Sequence, residues 1–212
     1  DDYMKSFEGA DNIVVVTITG TLSGSYNSAE IAKKIYLEEH PDAKIHVIDS
    51  LSAGGEVDLI VRKLNHLVAE GLDFDQVVDA ITAYRAKTKL LFVLAKVDNL
   101  VKNGRLSKLV GTVVGLLNIR MVGEASKTGT LELLQKARGQ KKAIKAAFDE
   151  LIKAGYTGGH ITIAHRNNDK FIEQFSALIR EKFTHASIEV LPTSGLCSFY
   201  AEEGGLLMGY EI

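Results

Sequence analysis

The chain has 212 residues, of which 46% are hydrophobic and 25% are charged, and its formal net charge is -2. This composition is typical of a globular protein with a sizeable core, and the near-neutral charge argues against nucleic acid as a partner. The longest apolar runs, such as LLFVLA, have the length of strands, so the sequence predicts no membrane-spanning segment. The single cysteine, Cys197, excludes a disulfide scaffold and favours a reducing compartment, so we expect a cytoplasmic protein.

The first part of the chain alternates strands and helices. A continuous apolar run at residues 12–18 predicts a strand covered on both faces, and residues 44–48 predict a second one. Apolar residues at helical spacing predict three helices, at 27–39, 56–70 and 74–86. This order is typical of a Rossmann-like parallel α/β unit, which we assign to a first domain over residues 1–87.

The rest of the chain has more closely spaced strands. Strands are predicted at 89–95, 118–123, 130–135, 160–165 and 187–192, with long helices at 136–154 and 171–183 and short helices within 99–117. Residues 199–212 mix glycines with apolar residues and predict no definite element. We therefore expect a second α/β domain over residues 88–212, with a mixed sheet covered on one face.

A loop rich in hydroxyl groups follows the first predicted strand. Thr21, Ser23, Gly24 and Ser25 precede the first predicted helix, where they could cap the helix or bind an anion. The loop carries more hydroxyl groups than one cap needs, which favours binding of a carboxylate or a phosphate. A second polar loop, residues 49–55, follows the second strand. Because parallel strands of one sheet share an edge at their carboxyl ends, we expect the two loops to converge.

Familiar catalytic and metal-binding motifs do not occur in the sequence. It contains no GKS or GKT, no GxGxxG, no HExxH and no Ser-His-Asp set with local support. Cys197 has no identifiable base nearby in the sequence, so we expect a small buried apolar side chain. Arg105 in KNGRLSK could face a ligand, join the two domains or lie in an ordinary turn. His165 ends a predicted strand. Its side chain could reach a cleft between domains, or it could lie at the surface with its hydrogen bonds already made.

Six stretches occur in an order that resembles the DegV family of bacterial fatty-acid-binding proteins. They are LSGSYNSA, VIDS, LVKNGRLS, GLLNIRMV, QKARGQKKAI and ITIAH, and they extend over most of the chain. The resemblance implies two α/β domains with a lipid tunnel, a bound long-chain fatty acid such as palmitate, stearate or oleate, and no cofactor. It also implies a carrier without catalysis of its own, which presents the fatty acid to a separate fatty acid kinase for phospholipid synthesis. We further expect a monomer.

The resemblance also assigns roles to individual residues. Ser23 matches the family serine that contacts the carboxylate, Gly24 matches the glycine beside it, and Ser25 stands where the family has threonine. Arg105 and Arg138 match two family arginines and are candidates for positioning the ligand or for the kinase interface. The tail would lie among the apolar residues of LLFVLA and VGTVVGLLNI.

Two departures from the family pattern bear on function. The family begins with a further segment that contains a Thr-Ser-Gln-Pro stretch, whose threonine also holds the carboxylate, so we expect that an upstream segment is missing here. The family's closing GTHxGxGALG corresponds to CSFYAEEGGLLMG, and no histidine occurs from Ala186 to Ile212. Two other hypotheses remain: a phosphotransfer enzyme related to dihydroxyacetone kinase, and a structural partner protein without a ligand.

Overall fold

The computed structural model describes residues 2–106 and 118–212. The first part of the chain forms α1 (Asp2–Phe7), β1 (Asn12–Thr17), α2 (Ser25–Glu39), β2 (Lys44–Asp49), α3 (Gly55–Ala69) and α4 (Phe74–Arg85). Strands β1 and β2 pair in parallel, in register from Asn12 with Lys44 to Thr17 with Asp49. The predicted parallel α/β unit is therefore present, and the three predicted helices, α2 to α4, begin and end within two residues of the predicted bounds, whereas α1 was not predicted.

The second part forms a six-stranded mixed sheet. Its elements are β3 (Thr88–Leu94), α5 (Asp98–Lys102), β4 (Ile119–Ala125), β5 (Leu131–Arg138), α6 (Gln140–Lys153), β6 (His160–His165), α7 (Asp169–Lys182), β7 (Ser187–Pro192), α8 (Gly195–Ala201) and β8 (Leu206–Glu211). The strand order is β5-β4-β3-β8-β6-β7, and only the pair β6–β7 is parallel. The predicted α/β class with one parallel and one mixed sheet is confirmed, whereas the domain boundary near residue 87 stays a prediction.

Two predictions of individual elements in the second part were wrong. The helix predicted over 136–154 begins only at Gln140, because residues through Arg138 continue β5, where Arg138 pairs with Ile119 of β4. The closing run, residues 199–212, for which no element was predicted, contains the end of α8 and all of β8. Strand β8 lies in the middle of the sheet, between β3 and β6. Sheet pairing thus overrides the helix-forming tendency of the QKA segment.

Apolar side chains cover both faces of the six-stranded sheet. Strand β3 alternates between them: Leu91 and Val93 belong to one cluster with α6 and α7, while Phe92 and Leu94 belong to another. The second cluster also contains Leu100 of α5 and residues of α8. The prediction of a sheet covered on one face was therefore wrong, because β3 is apolar at every position from Leu90 to Leu94 and so has apolar side chains on both faces.

Helix α3 connects the two sheets. It follows β2 in the chain, yet its first turn packs against β6 and β8. A Cβ atom on Gly55 would lie 2.2 Å from the carbonyl oxygen of Thr162, so only glycine allows this approach. The buried Glu56 carboxylate accepts a hydrogen bond from the Thr88 hydroxyl at 2.8 Å. The loop between β2 and α3 is thereby fixed against the second sheet.

Candidate functional site

The loops that follow β1 and β2 meet at one edge of the two-stranded sheet. The N–H group of Thr19 donates to the carbonyl oxygen of Ser52 at 2.8 Å, and the N–H group of Gly20 donates to the Asp49 carboxylate at 3.2 Å. The same carboxylate accepts a hydrogen bond from the Leu51 N–H group at 2.9 Å. Asp49 therefore holds both loops, and the convergence predicted from the sequence is confirmed.

The serine loop, residues 19–24, joins β1 to α2. The Ser23 N–H group donates to the carbonyl oxygen of Thr19 at 3.2 Å. The Ser23 hydroxyl lies 3.0 Å from the Ser25 hydroxyl and accepts a hydrogen bond from the Ser25 N–H group at 3.2 Å. Gly24 is the N-cap residue, and no side chain caps α2 there. Two serine hydroxyls thus lie side by side at a helix N-terminus, where the helix dipole favours an anion.

A cavity of about 150 Å³ lies beside the serine loop. Ser23, Gly24 and Arg105 contribute to its lining. Most of the remaining described lining is apolar and comes mainly from the second part of the chain, including Phe92, Leu94, Leu100, Leu131, Leu196 and Leu207. One part of the cavity wall therefore carries hydroxyl and guanidinium groups, and the rest of the described wall is mostly apolar.

The structure describes one of the two apolar stretches proposed for the tunnel and only the end of the other. Phe92 and Leu94 of LLFVLA line the cavity, because alternate residues of β3 face it. In VGTVVGLLNI, residues 110–117 lie outside the described part of the chain, so that expectation stays a prediction.

Arg105 joins three segments around the cavity. Its Nε–H group donates to the carbonyl oxygen of Leu22 in the serine loop at 3.2 Å, and its Nη1–H group donates to the carbonyl oxygen of Asn103 at 2.5 Å. Its Cζ atom lies 6.0 Å from the centre of the Tyr200 ring in α8. Two of the five guanidinium N–H donors are used in these bonds. Arg105 therefore binds the serine loop and also borders the cavity, while its roles in ligand binding and in joining the two domains stay predictions.

The Cys197 side chain forms part of the cavity wall. The residue is half-buried, not fully buried as expected, because α8 turns this side chain toward the cavity. Burial raises the pKa of the Cys197 thiol, so the sulfur is protonated at neutral pH and is a poor nucleophile. The cysteine is thus an apolar part of the wall.

Comparison with known proteins identifies the family. The model of a family described as "Uncharacterised protein, DegV family" matches residues 2–210 of the chain. The chain belongs to the DegV family. The resemblance inferred from the sequence motifs is confirmed.

Relatives of this DegV chain include proteins with bound fatty acids. The chain is 75% identical over 212 residues to a DegV domain-containing protein of Streptococcus gordonii, matching 100% of this chain and 75% of that protein. It is 76% identical to the Streptococcus pneumoniae Fatty Acid Kinase (Fak) B3 protein loaded with linoleic acid, with a TM-score of 0.98 over 100% of this chain and 75% of that one. A DegV family protein from Eubacterium eligens loaded with heptadecanoic acid is 41% identical, with a TM-score of 0.94 over 99% and 76% of the chains.

Four residues proposed as ligand-binding do not line the cavity of this DegV chain: Ser25, whose hydroxyl lies 3.0 Å from that of Ser23, and Thr21, Arg138 and His165. The Thr21 hydroxyl donates to the carbonyl oxygen of Gly129 at 2.9 Å. Arg138 is exposed at the end of β5. His165 Nδ1 accepts a hydrogen bond from the Asn168 N–H group at 3.2 Å. The structure thus places Ser25 beside the lining residues Ser23, Gly24 and Arg105. Thr21 lies in the same loop but directs its hydroxyl to Gly129, and neither Arg138 nor His165 is part of the lining.

Sequence reasoning missed the contribution of the C-terminal segment to the site. Tyr200, Leu196 and Leu207 line the cavity, and none was proposed. The alternation of buried side chains in LLMGYE was the available signal for strand β8. No local pattern shows that α8 would lie across from the serine loop, since that depends on sheet order.

A second, more polar cavity of about 720 Å³ lies between α4 and the β4–β5 hairpin. Its described lining carries both signs of charge, including Arg85, Lys89, Glu124 and Glu56. Burial raises the pKa of the Glu56 carboxyl. This mixture of charges is unsuited to a hydrocarbon chain.

Within residues 2–106 and 118–212, no group of three or more His, Cys, Asp or Glu side chains is arranged to hold a metal ion. Over the same ranges, none of the helices has the length and apolar character that crossing a membrane requires.

Proposed function

We propose that this DegV protein binds one long-chain fatty acid, with the carboxylate at Ser23 and the acyl chain against the apolar wall. The observation that carries the proposal is that Ser23 and Arg105 line the same cavity as Phe92, Leu94 and Leu207. A ligand that suits both parts of this lining has an anionic head and a hydrocarbon tail.

The energetics favour such a ligand. Each CH2 group that leaves water for an apolar environment contributes about 0.8 kcal/mol, so the acyl chain supplies most of the affinity. A carboxylate taken from water needs hydrogen-bond donors. The hydroxyls of Ser23 and Ser25, and the backbone N–H groups of the first turn of α2, are such donors. The related proteins loaded with linoleic and heptadecanoic acid support this choice of ligand.

The proposal extends to a carrier role in the cytoplasm. We infer that the protein acts as a monomer without catalysis of its own and presents the fatty acid to a fatty acid kinase. The name of the pneumococcal relative, which refers to such a kinase, supports this step. The exposed Arg138 is the candidate for the kinase interface, because it lies apart from the cavity lining and is accessible.

Mass spectrometry of an organic extract of the purified protein tests the binding function. We expect one fatty acid per chain, either as purified or after incubation with palmitate, stearate or oleate. An aqueous extract of the same sample is analysed for nucleotides. Bound nucleotide with no fatty acid would contradict the proposal and favour a phosphotransfer enzyme related to dihydroxyacetone kinase.

The carrier role is tested with Arg138→Ala. We expect unchanged fatty-acid affinity but slower formation of acyl-phosphate when a fatty acid kinase and ATP are added. Lys141→Ala is the matched control, since Lys141 is an exposed cation at the start of the adjacent helix. Equal rates for both variants would remove Arg138 from the interface.

A further inference from the structure

The turn between β4 and β5 contacts the serine loop across the molecule. The Thr21 hydroxyl donates a hydrogen bond to the carbonyl oxygen of Gly129 at 2.9 Å, although 108 positions separate the two residues. Residues 126–130, which we call the hairpin turn, are held by internal bonds, since the Ser126 N–H group donates to the Thr130 carbonyl at 2.8 Å. A preformed turn from the second sheet therefore meets the loop that carries Ser23.

The bond from Thr21 is linked to Ser23 through Thr19. The hydroxyls of Thr19 and Thr21 lie 2.9 Å apart. Because the single hydroxyl proton of Thr21 is directed to Gly129, Thr19 is the donor in this pair. The carbonyl oxygen of Thr19 in turn accepts the Ser23 N–H group at 3.2 Å. A continuous set of hydrogen bonds thus joins the hairpin turn to the backbone of Ser23.

Steric contact fixes the same junction. Gly129 is buried and has a φ angle of +79°, which glycine adopts without strain. A Cβ atom at this position would lie 2.1 Å from the Thr19 hydroxyl oxygen and 3.0 Å from Leu51 Cα. The backbone of the turn therefore packs closely against the serine loop, with its Gly129 carbonyl oxygen in reach of the Thr21 hydroxyl.

We propose that the hairpin turn is a latch on the serine loop, and that Thr21 and Gly129 are positioning residues for Ser23. The inference rests on the proposed function, because the latch sets how firmly the loop holds a fatty-acid carboxylate. When the Thr21–Gly129 bond is broken, the loop moves more freely and the fatty acid dissociates faster. Thr21 therefore acts on the ligand through the loop and not by contact.

The test compares Thr21→Val with Thr21→Ser, which keeps the hydroxyl group. The probe is cis-parinaric acid, a fluorescent fatty acid, and the readout is its dissociation rate when excess oleate is added. Loss of one hydrogen bond predicts a dissociation rate about threefold to tenfold faster for Thr21→Val. Thr21→Ser is expected to restore the wild-type rate. Thr128→Val is the control, because Thr128 lies in the same turn but bonds within it to Ser126.

Hydrogen exchange of the ligand-free protein separates the latch from the proposed function. The Ser23 amide is expected to exchange faster in Thr21→Val than in the wild type or in Thr128→Val, while the thermal midpoint changes little because Thr21 is exposed. If the wild type binds no fatty acid, the proposed function fails, and the amide exchange still decides whether the latch exists. Unchanged exchange and an unchanged dissociation rate in Thr21→Val would overturn the latch.

Discussion

Ser23→Ala is the substitution that most directly probes the proposed carboxylate site. The change removes one hydroxyl group from a half-buried residue in the lining of the cavity and leaves the backbone of the serine loop in place. In the folded protein, the lost group accepts one hydrogen bond from the Ser25 N–H group at 3.2 Å. We therefore expect the fold to persist, with a cost in stability of about 1 kcal/mol or less.

The expected loss of affinity follows from the charge of the ligand. A hydrogen bond to an ionised group contributes about 1.5–3 kcal/mol, which corresponds to about 10-fold to 150-fold in the dissociation constant. The Ser25 hydroxyl lies only 3.0 Å from that of Ser23 and can take over part of the bonding. The increase in the dissociation constant should therefore be near the lower end of this range for Ser23→Ala alone. It should be near the upper end for the double variant that also carries Ser25→Ala.

A displacement titration of cis-parinaric acid by oleate measures these affinities. Ser28→Ala is the matched control, because Ser28 is an exposed serine in α2, the helix that follows the serine loop, and it lies outside the cavity lining. A dissociation constant for Ser23→Ala within about twofold of the wild type would refute the assignment of Ser23. An equal loss in Ser28→Ala would show that the helix, and not the hydroxyl group, determines binding.

Two further predictions concern buried titratable groups. Burial raises the pKa of the Glu56 carboxyl above its unfolded value, so its protonated form stabilises the fold and this contribution is lost as the pH rises through the folded pKa. The free energy of unfolding should therefore decrease less for Glu56→Gln than for the wild type between about pH 4 and about pH 8. Urea unfolding midpoints of both proteins at the two pH values measure this decrease. The same decrease in both proteins would contradict the prediction. Cys197→Ser should change fatty-acid affinity by no more than a few-fold, since the thiol is a protonated part of the wall, and a complete loss in the same titration would show that α8 has a larger role.

Local sequence pattern was sufficient to predict the first sheet and its loops. Residues 13–16 form a continuous apolar run followed by Thr17, and the second strand ends at Asp49, so both strand ends were recognisable. The convergence of the loops follows from parallel pairing, which the alternation of strands and helices indicates. The Asp49 carboxylate, which binds the N–H group of Gly20, was not foreseen as the residue that holds them.

Prediction failed where long-range pairing decides the structure. Lys136 and Ala137 favour helices in isolation, but they extend β5 because they pair with Met121 and Arg120 of β4. Strand β8 lies in the middle of the sheet because it pairs with both β3 and β6. Both of these strands are distant from β8 in the sequence, so no local pattern predicts the pairing. Thr21 was proposed together with the serines as a ligand-binding residue, and spacing alone does not show that its hydroxyl meets Gly129. Whether these side chains bind the ligand stays a prediction.

A crystal structure of the protein with oleate tests the central claim most directly. The account predicts a carboxylate oxygen within about 3 Å of the Ser23 hydroxyl oxygen, with the acyl chain in contact with Phe92 and Leu94. An acyl chain in the polar cavity beside Glu56, or a carboxylate bound away from the serine loop, would contradict the account.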